Sequence, residues 1–196
     1  GVVPRCRFSP MEPIAPSFDL EPLARLLDAH ADRSDPPVLA QFVELLAQAP
    51  ACYRRDCWPG HFTGSAWLVA PAGTEVLLTH HRKLDRWLQL GGHADGDADL
   101  GRVALREAAE ESGLDGLLLE PPIFDLDRHW IPPRGPEPGH WHYDVRFVVQ
   151  ATNSTAFVVS GESRALAWRS VAEIAASDAF DESMRRMARK WLEIKA

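Results

Sequence analysis

The sequence predicts a mixed domain of helices and strands, of the α/β or α+β class. From residue 58 onward, short runs of alternating character, which are typical of strands, are interleaved with segments of helical periodicity. The length of 196 residues accommodates one generous domain, or one domain with an extension. The composition, 45% hydrophobic and 25% charged, is typical of a globular protein.

The first part of the chain predicts an extension that precedes the main domain. Residues 1–17 contain four prolines and predict an extended lead-in. Apolar residues at helical spacing then predict one helix over residues 20–31 and a second that ends near Pro50. We therefore predict that residues 1–56 form a proline-rich lead-in and a helical hairpin with a structural role. The hairpin is expected to pack on the rest of the chain or on a second subunit, which would make a homodimer.

The main domain, predicted for residues 57–196, begins with a hairpin. Turn residues and apolar spacing place the other boundaries, and Asp99 and Gly113 predict the start and stop of a central helix. Strands are predicted at 63–69, 75–80, 87–90, 123–130, 140–152 and 165–168, and helices at 100–112, 170–175 and 181–195.

The central helix carries four charged residues in its second half, Arg106, Glu107, Glu110 and Glu111. Positions three and four apart share a helix face, so Glu107 faces both later glutamates. Close like-charge pairs cost a helix a few tenths of a kcal/mol each, which a cation with oxygen ligands would remove. Alternatively, the face is solvated and partly neutralised by pairing of Arg106 with Glu110. The helix alone leaves both interpretations open.

The segment that contains this helix, residues 92–114, reads GHADGDADLGRVALREAAEESGL. It resembles the Nudix box, in which a glycine, five residues, a glutamate and seven residues precede Arg-Glu-aliphatic-x-Glu-Glu-x-Gly-aliphatic. Gly92 takes the first position, and the spacing is kept over all 23 residues. The first glutamate of the box falls on Ala98, which follows Asp97. Either Asp97 substitutes for that glutamate, or the helix carboxylates bind the ion alone.

The resemblance implies a Nudix-like α/β/α sandwich with a mixed sheet, and hydrolysis of a diphosphate linkage assisted by Mg²⁺ or Mn²⁺. It further implies that Glu107, Glu110 and Glu111 bind the metal, with the carbonyl of Gly92 as an added oxygen. Arg106 is expected to orient the glutamates, and Glu110 or Glu111 to serve as general base. The expected substrate is a nucleoside diphosphate derivative or a related organic diphosphate. The alternative is a non-catalytic ligand-binding or regulatory protein with a partly decayed box.

Polar residues on the predicted strand 140–152 are candidates for the substrate side of the site. Six of the eight histidines lie between His80 and His142. Alternation along the strand aims His140, His142 and Asp144 at one face, and His93 follows directly after Gly92. These four residues are expected to bind phosphate or to supply a further metal ligand. The alternative is that they are hydrogen-bonded residues of the sheet.

Charge and composition exclude several classes of partner. The net charge of -7 argues against a nucleic-acid polymer, and no apolar run approaches the roughly 20 residues of a membrane span. Cys6, Cys52 and Cys57 lack the paired spacing of a zinc site and are expected to be free thiols in the cytoplasm. The expected partner is a small-molecule diphosphate.

Overall fold

The computed structural model describes residues 22–82, 84–159 and 163–196. The predicted lead-in, residues 1–17, lies outside the described residues. The helices are α1 (Pro22–His30), α2 (Pro36–Leu46), α3 (Leu100–Ser112), α4 (Val171–Ala176) and α5 (Glu182–Lys195). The strands are β1 (Gly60–Val69), β2 (Glu75–His81), β3 (Arg86–Leu88), β4 (Leu90–His93), β5 (Leu118–Ile131), β6 (His140–Gln150) and β7 (Ser163–Ser170). None of the described helices combines the length and apolar character needed to cross a membrane.

Within these ranges, seven strands form one mixed sheet with the order β3-β2-β1-β6-β5. Strand β4 pairs with β1, and β7 pairs with β2. The β1–β6 ladder is parallel, whereas the other ladders are antiparallel. The predicted hairpin of β1 and β2 and the mixed sheet are both confirmed.

Two hydrophobic cores cover the two faces of the sheet, as alternation along β1 requires. Phe62, Ala66 and Leu68 pack with α1, α2 and α3, whereas Trp67 and Val69 pack with α4 and α5. The fold is therefore the expected α/β/α sandwich. Since helices α1 and α2 share the first core, the helical hairpin packs on the chain's own sheet.

Helix α3 agrees with its predicted bounds because its signals are local. The side chain of Asp99 accepts a hydrogen bond from the amide of Arg102 at 3.0 Å, and Gly113 ends the helix with a left-handed φ of 68°. The helix lies close to β1. A Cβ at Gly64 would lie 2.8 Å from the carbonyl oxygen of Leu100. This close approach fixes the acidic face of α3 relative to β4.

Two strand predictions need correction. The predicted run 87–90 is divided at Gln89, because β3 pairs with β2 and β4 pairs with β1. Strand β5 also continues from Leu118 to Ile131 instead of beginning at 123. Its register shifts between Leu119 and Ile123, where Pro121 and Pro122 provide no amide hydrogen for the ladder.

Candidate functional site

The carboxylate of Glu107 lies directly against the backbone of β4 at Gly92. A Cβ added to Gly92 would lie 2.7 Å from Cδ of Glu107, and 2.8 Å and 2.9 Å from its two oxygens. Any side chain at this position would displace the carboxylate. Glycine at the start of the box thus provides the space for the first glutamate of α3.

A second carboxylate of α3 is bound to the preceding residue of β4. Oε1 of Glu111 accepts a hydrogen bond from the amide of Gly91 at 3.0 Å. Glu107 and Glu111 are half-buried, whereas Glu110 is exposed to solvent. The structure therefore brings two of the predicted metal ligands to Gly91 and Gly92 and leaves the third carboxylate facing water.

The electrostatics of this face favour a divalent cation. Burial raises the pKa of Glu107, and the charges of Glu110 and Asp95 add to the shift, while Arg106 opposes it. In the part of the chain that the structure describes, the carboxylate oxygens of Glu107, Glu110 and Glu111 do not all come within 4.8 Å of one another. Like charges repel one another, and carboxylate oxygens are the ligands that Mg²⁺ and Mn²⁺ prefer. The carboxylate donors of this face therefore fit such an ion in ligand type.

Arg106 connects α3 to β4. Its Nη2 lies 3.4 Å from Oε1 of Glu107 and 3.4 Å from the carbonyl oxygen of His93. Its Nη1 lies 3.9 Å from Oδ2 of Asp97. Arg106 therefore pairs with Glu107 and Asp97 rather than with Glu110, the partner expected for a simple solvated face.

Asp97 is an ordered acidic residue next to the position where the box lacks its glutamate. Its carboxylate accepts hydrogen bonds from Arg102 at 2.6 Å and 2.9 Å, and from the amide of Asp99 at 2.9 Å. The hydrogen bonds from Arg102 hold the pKa of Asp97 below its usual range. Ala98 is half-buried and packs against the core. The negative charge beside Arg106 is thus supplied one residue earlier than in the box pattern.

Comparison with known families decides the assignment. The family model of the NUDIX domain matches residues 61–191. The chain belongs to the NUDIX family. The predicted family and the prediction of a Nudix-type hydrolase are both confirmed by this match.

Solved structures of NUDIX proteins share the fold. An Ap4A hydrolase from C. elegans, in a binary complex, is 19% identical, with a TM-score of 0.55, over 68% of this chain and 96% of that chain. A NUDIX-family hydrolase from Clostridium perfringens is 24% identical, with a TM-score of 0.51, over 69% of this chain and 98% of that chain. The E. coli dihydroneopterin triphosphate pyrophosphohydrolase is 19% identical, with a TM-score of 0.53, over 69% and 96% of the two chains. Among curated proteins, the chain has no match.

Among the predicted substrate-side residues of this NUDIX domain, Asp144 lies in the interior. It is 2% exposed and accepts hydrogen bonds from Thr63 at 2.9 Å, Ser65 at 2.5 Å and 2.6 Å, Gln89 at 3.2 Å and Arg146 at 2.8 Å. Its carboxylate therefore joins β1, β6 and the junction of β3 and β4. This geometry makes Asp144 a residue that positions the strands around the site.

The three predicted histidines, His93, His140 and His142, lie together. They share one face of the sheet with His61 of β1 and His129 of β5, and neighbouring rings have centroids 4.9 Å to 5.4 Å apart. His61 and His129 were not among the predicted site residues. The polar alternation of His61, Thr63 and Ser65 was the available signal, but only the pairing of β1 with β6 relates it to His140 and His142.

Proposed function

We propose that this NUDIX protein is a Mg²⁺- or Mn²⁺-dependent hydrolase that cleaves the diphosphate linkage of a nucleoside diphosphate derivative or a related organic diphosphate. The observation that carries the proposal is the placement of Glu107 and Glu111 on the backbone of Gly91 and Gly92. Two carboxylates on adjacent glycines form an oxygen-rich surface that suits a hard divalent cation. A protein with a net charge of -7 requires such a cation to attract an anionic diphosphate.

The residues of the site have different roles. Glu107, Glu110 and Glu111 hold the ion, with the carbonyl of Gly92 as a further oxygen ligand. When bound, the ion polarises the phosphoryl oxygen and lowers the pKa of a water molecule. Arg106 orients Glu107 against β4 through the contacts described above. Of the two candidates for general base, we favour Glu110, because it is exposed to solvent whereas Glu111 is turned toward the amide of Gly91.

Asp97 takes over the supporting role of the missing box glutamate. Its carboxylate is fixed by Arg102 and lies 3.9 Å from Arg106. A negative charge at this point holds the guanidinium of Arg106 near Glu107. Ala98 on this interpretation marks a displaced charge rather than a decayed site.

The substrate side is proposed to include His93, His140 and His142, with Asp144 positioning the strands that carry them. Two of the structural relatives are called an Ap4A hydrolase and a dihydroneopterin triphosphate pyrophosphohydrolase. Both names describe hydrolysis of an organic polyphosphate, which supports the chemical class proposed here. We further place the activity in the cytoplasm, where the thiol of Cys57 would remain reduced.

A screen over nucleoside diphosphate derivatives, with Mg²⁺ and with Mn²⁺, tests the proposal. Cleavage of the diphosphate linkage gives two phosphomonoesters, which an added phosphomonoesterase converts into inorganic phosphate for detection. We expect turnover of at least one compound with either ion, and loss of most of that rate in Glu110→Gln. The matched control is Glu120→Gln, which makes the same change at an exposed residue of β5 and is expected to leave the rate unchanged.

The second candidate function, a non-catalytic ligand-binding module, is favoured by one observation, the alanine at position 98. It predicts tight binding of a compound from the same screen with no turnover of any. That result would contradict the hydrolase proposal.

A further inference from the structure

Three of the clustered histidines converge on one point at the ends of the two parallel strands. His61 and His142 are direct partners in the β1–β6 ladder. His140 lies two residues before His142 and therefore projects from the same face. One ring nitrogen of each residue lies within 4.8 Å of the other two. His61 is fully buried and His140 is 1% exposed, so the arrangement is not a chance meeting of surface side chains.

Hydrogen bonds to backbone carbonyls fix which nitrogen of the His61 and His140 rings carries the lone pair. Nδ1 of His61 lies 3.4 Å from the carbonyl oxygen of Cys57, and Nδ1 of His140 lies 2.9 Å from that of Pro138. A carbonyl oxygen only accepts, so each Nδ1 carries the proton and each neutral ring presents Nε2 as an acceptor. A backbone carbonyl on the far nitrogen is the usual support of a metal-bound histidine.

Nε2 of His61 is buried and has no hydrogen-bond partner among the residues that the structure describes. Nε2 of His140 faces Nε2 of His142 at 3.2 Å. One proton shared between His140 and His142 satisfies that pair, but it leaves Nε2 of His61 without a donor. A buried polar atom without a partner carries a desolvation cost that a bound ligand would remove.

We propose that His61, His140 and His142 form a binding site for a transition-metal ion and that Zn²⁺ suits this site best. The site is separate from the carboxylate site on α3. Imidazole nitrogens suit Zn²⁺, whereas Mg²⁺ requires oxygen ligands. Zn–N bonds of about 2.0–2.1 Å in a tetrahedron place the nitrogens about 3.4 Å apart. The separation of 3.2 Å between Nε2 of His140 and Nε2 of His142 is close to this value, and a ring nitrogen of His61 lies within 4.8 Å of a nitrogen of each.

Burial disfavours the charged form of His61 and of His142, and a metal binds the neutral imidazole. Burial lowers the pKa of His61 to about 4, and electrostatic repulsion from His93 and His140 contributes to the lowering. Burial also sets the pKa of His142 well below its usual range, with the surrounding histidines adding to the shift.

A carboxylate lies beside the histidine cluster at its solvent-exposed edge. Oε1 of Glu137 lies 3.8 Å from Nε2 of His140, and the side chain of Glu137 is 48% exposed. Trp58 is 41% exposed, and the centroid of its ring lies 5.0 Å from that of the His140 ring. A metal with three protein ligands and one open position can accept water, a carboxylate or a phosphate oxygen.

Strand β4 separates this site from the acidic face of α3. His93 contacts His61 and His142, whereas Gly92, the preceding residue, contacts Glu107. Consecutive strand residues face opposite sides of a sheet, so the histidine and carboxylate sites lie on opposite faces of β4. The proposed centre and the carboxylate site therefore share no ligand, and each can be altered without removing a ligand of the other.

The test is titration of the chelator-treated protein with Zn²⁺ by calorimetry, in excess Mg²⁺ so that oxygen sites are filled. We expect one Zn²⁺ per chain, with affinity reduced more than about 100-fold in His61→Ala and in His142→Ala. His80→Ala, which removes a histidine that packs on Trp87 outside the cluster, should bind Zn²⁺ as the wild type does. Glu110→Gln should keep Zn²⁺ binding even where hydrolysis is lost, which separates this proposal from the proposed function.

Co²⁺ provides a readout that needs no variant. Bound to the wild-type protein in place of Zn²⁺, it should show the intense visible absorption of a tetrahedral site with nitrogen ligands. This measurement decides the matter if both alanine variants fail to fold by circular dichroism. The proposal is wrong if the wild type binds no Zn²⁺ in excess Mg²⁺, if folded His61→Ala binds it equally well, or if the Co²⁺ spectrum is that of an octahedral oxygen site.

Discussion

Two adjacent glycines of β4 have different neighbours and therefore different roles. At Gly92, the atoms that a Cβ would meet belong to the carboxylate of Glu107, the far end of a flexible side chain. At Gly91, a Cβ would lie 2.8 Å from the backbone oxygen of Gly64 and 2.9 Å from Cα of Ser65. A Cβ at Gly92 could be accommodated if the carboxylate of Glu107, a proposed metal ligand, moved. A Cβ at Gly91 could be accommodated only if the backbone of β1 moved.

We expect Gly92→Ala to fold with little change in Tm but to bind Mg²⁺ about tenfold more weakly, because the carboxylate of Glu107 is displaced. Gly91→Ala should lose about 1–3 kcal/mol in the free energy of unfolding, because it overpacks β4 against β1. Metal titration and denaturant unfolding of both variants distinguish the two effects. Equal Mg²⁺ affinity of Gly92→Ala and the wild type would remove Gly92 from the proposed site.

Asp97 provides a second test at the level of single residues. If its carboxylate supports Arg106, Asp97→Ala should lower kcat/KM by about tenfold or more, the usual effect of removing a partner that orients a metal ligand. Ala98→Glu added to that variant should recover part of the loss, since it restores the charge at the position of the box glutamate. Steady-state kinetics at saturating Mg²⁺ measures both changes.

The matched control for this series is Asp115→Ala, which removes an exposed carboxylate just after α3. Its rate is expected to equal that of the wild type. If Asp97→Ala also retains the full rate, the helix carboxylates suffice and Asp97 has no supporting role.

At the scale of residues, the sequence predicts which side chains share a face of a helix, because that depends only on spacing along the chain. Glu107, Glu110 and Glu111 share one helix, so their common face could be read from spacing alone. His61 belongs to the cluster only because β1 runs parallel to β6, and no spacing along the chain contains that pairing. The roles of Gln89 and Thr63 beside Asp144 were missed for the same reason.

At the level of elements, a buried ionic cluster connects β5, β6 and α5. Asp125 is fully buried and contacts Arg146 at 3.1 Å, Arg186 at 2.7 Å and Lys190 at 2.5 Å. Burial opposes ionisation of Asp125, but the hydrogen bond from Arg186 and the three positive charges outweigh it and hold its pKa below the usual value. His30 of α1 also lies within electrostatic range of this carboxylate. One carboxylate thus compensates several cations where α5 covers the sheet.

We expect Asp125→Asn to lower the free energy of unfolding at neutral pH by about 3 kcal/mol, because the buried Arg146 and the half-buried Arg186 and Lys190 lose one of their counter-charges. The folded-state pKa of Asp125 is depressed, so its contribution is complete above the unfolded-state pKa of about 3.9. It is lost as the pH falls from there through the folded-state pKa, and the difference between variant and wild type should shrink over that range. Urea unfolding at a series of pH values measures this convergence.

The control for this prediction is Asp56→Asn, which breaks an exposed pair with Arg54 and should not change stability measurably. A stability difference for Asp125→Asn that is independent of pH down to the acid range would assign the effect to packing rather than to charge.

The same scale shows which elements could be predicted. The bounds of α3 were correct because a capping aspartate and a left-handed glycine are local signals. The division between β3 and β4 depends on which neighbouring strand each one pairs with, which is a long-range property. The extension of β5 through two prolines was hidden because prolines usually mark the end of a strand, and here β6 accommodates them by a shift in register.

For the whole molecule, the question is whether the N-terminal helices form a separable unit, as the predicted boundary at residue 56 suggests. The Phe42 side chain of α2 is fully buried. Its ring lies 6.1 Å from that of Phe62 in β1 and 5.3 Å from that of Tyr143 in β6. The helical hairpin and the NUDIX sheet therefore share one hydrophobic core, although the family match begins only at residue 61.

Because the core is shared, a destabilising substitution in α2 should lower the stability of the entire domain. Phe42→Ala should cost about 3–5 kcal/mol in one cooperative transition, because it leaves a cavity between α2 and both central strands. Val43→Ala is the matched control, since the adjacent Val43 is 52% exposed and its truncation should be nearly neutral. Thermal unfolding followed by tryptophan fluorescence and by far-ultraviolet circular dichroism should give coincident curves. If Phe42→Ala instead produces a separate early transition and leaves the main Tm unchanged, the hairpin is an independent extension of the NUDIX domain.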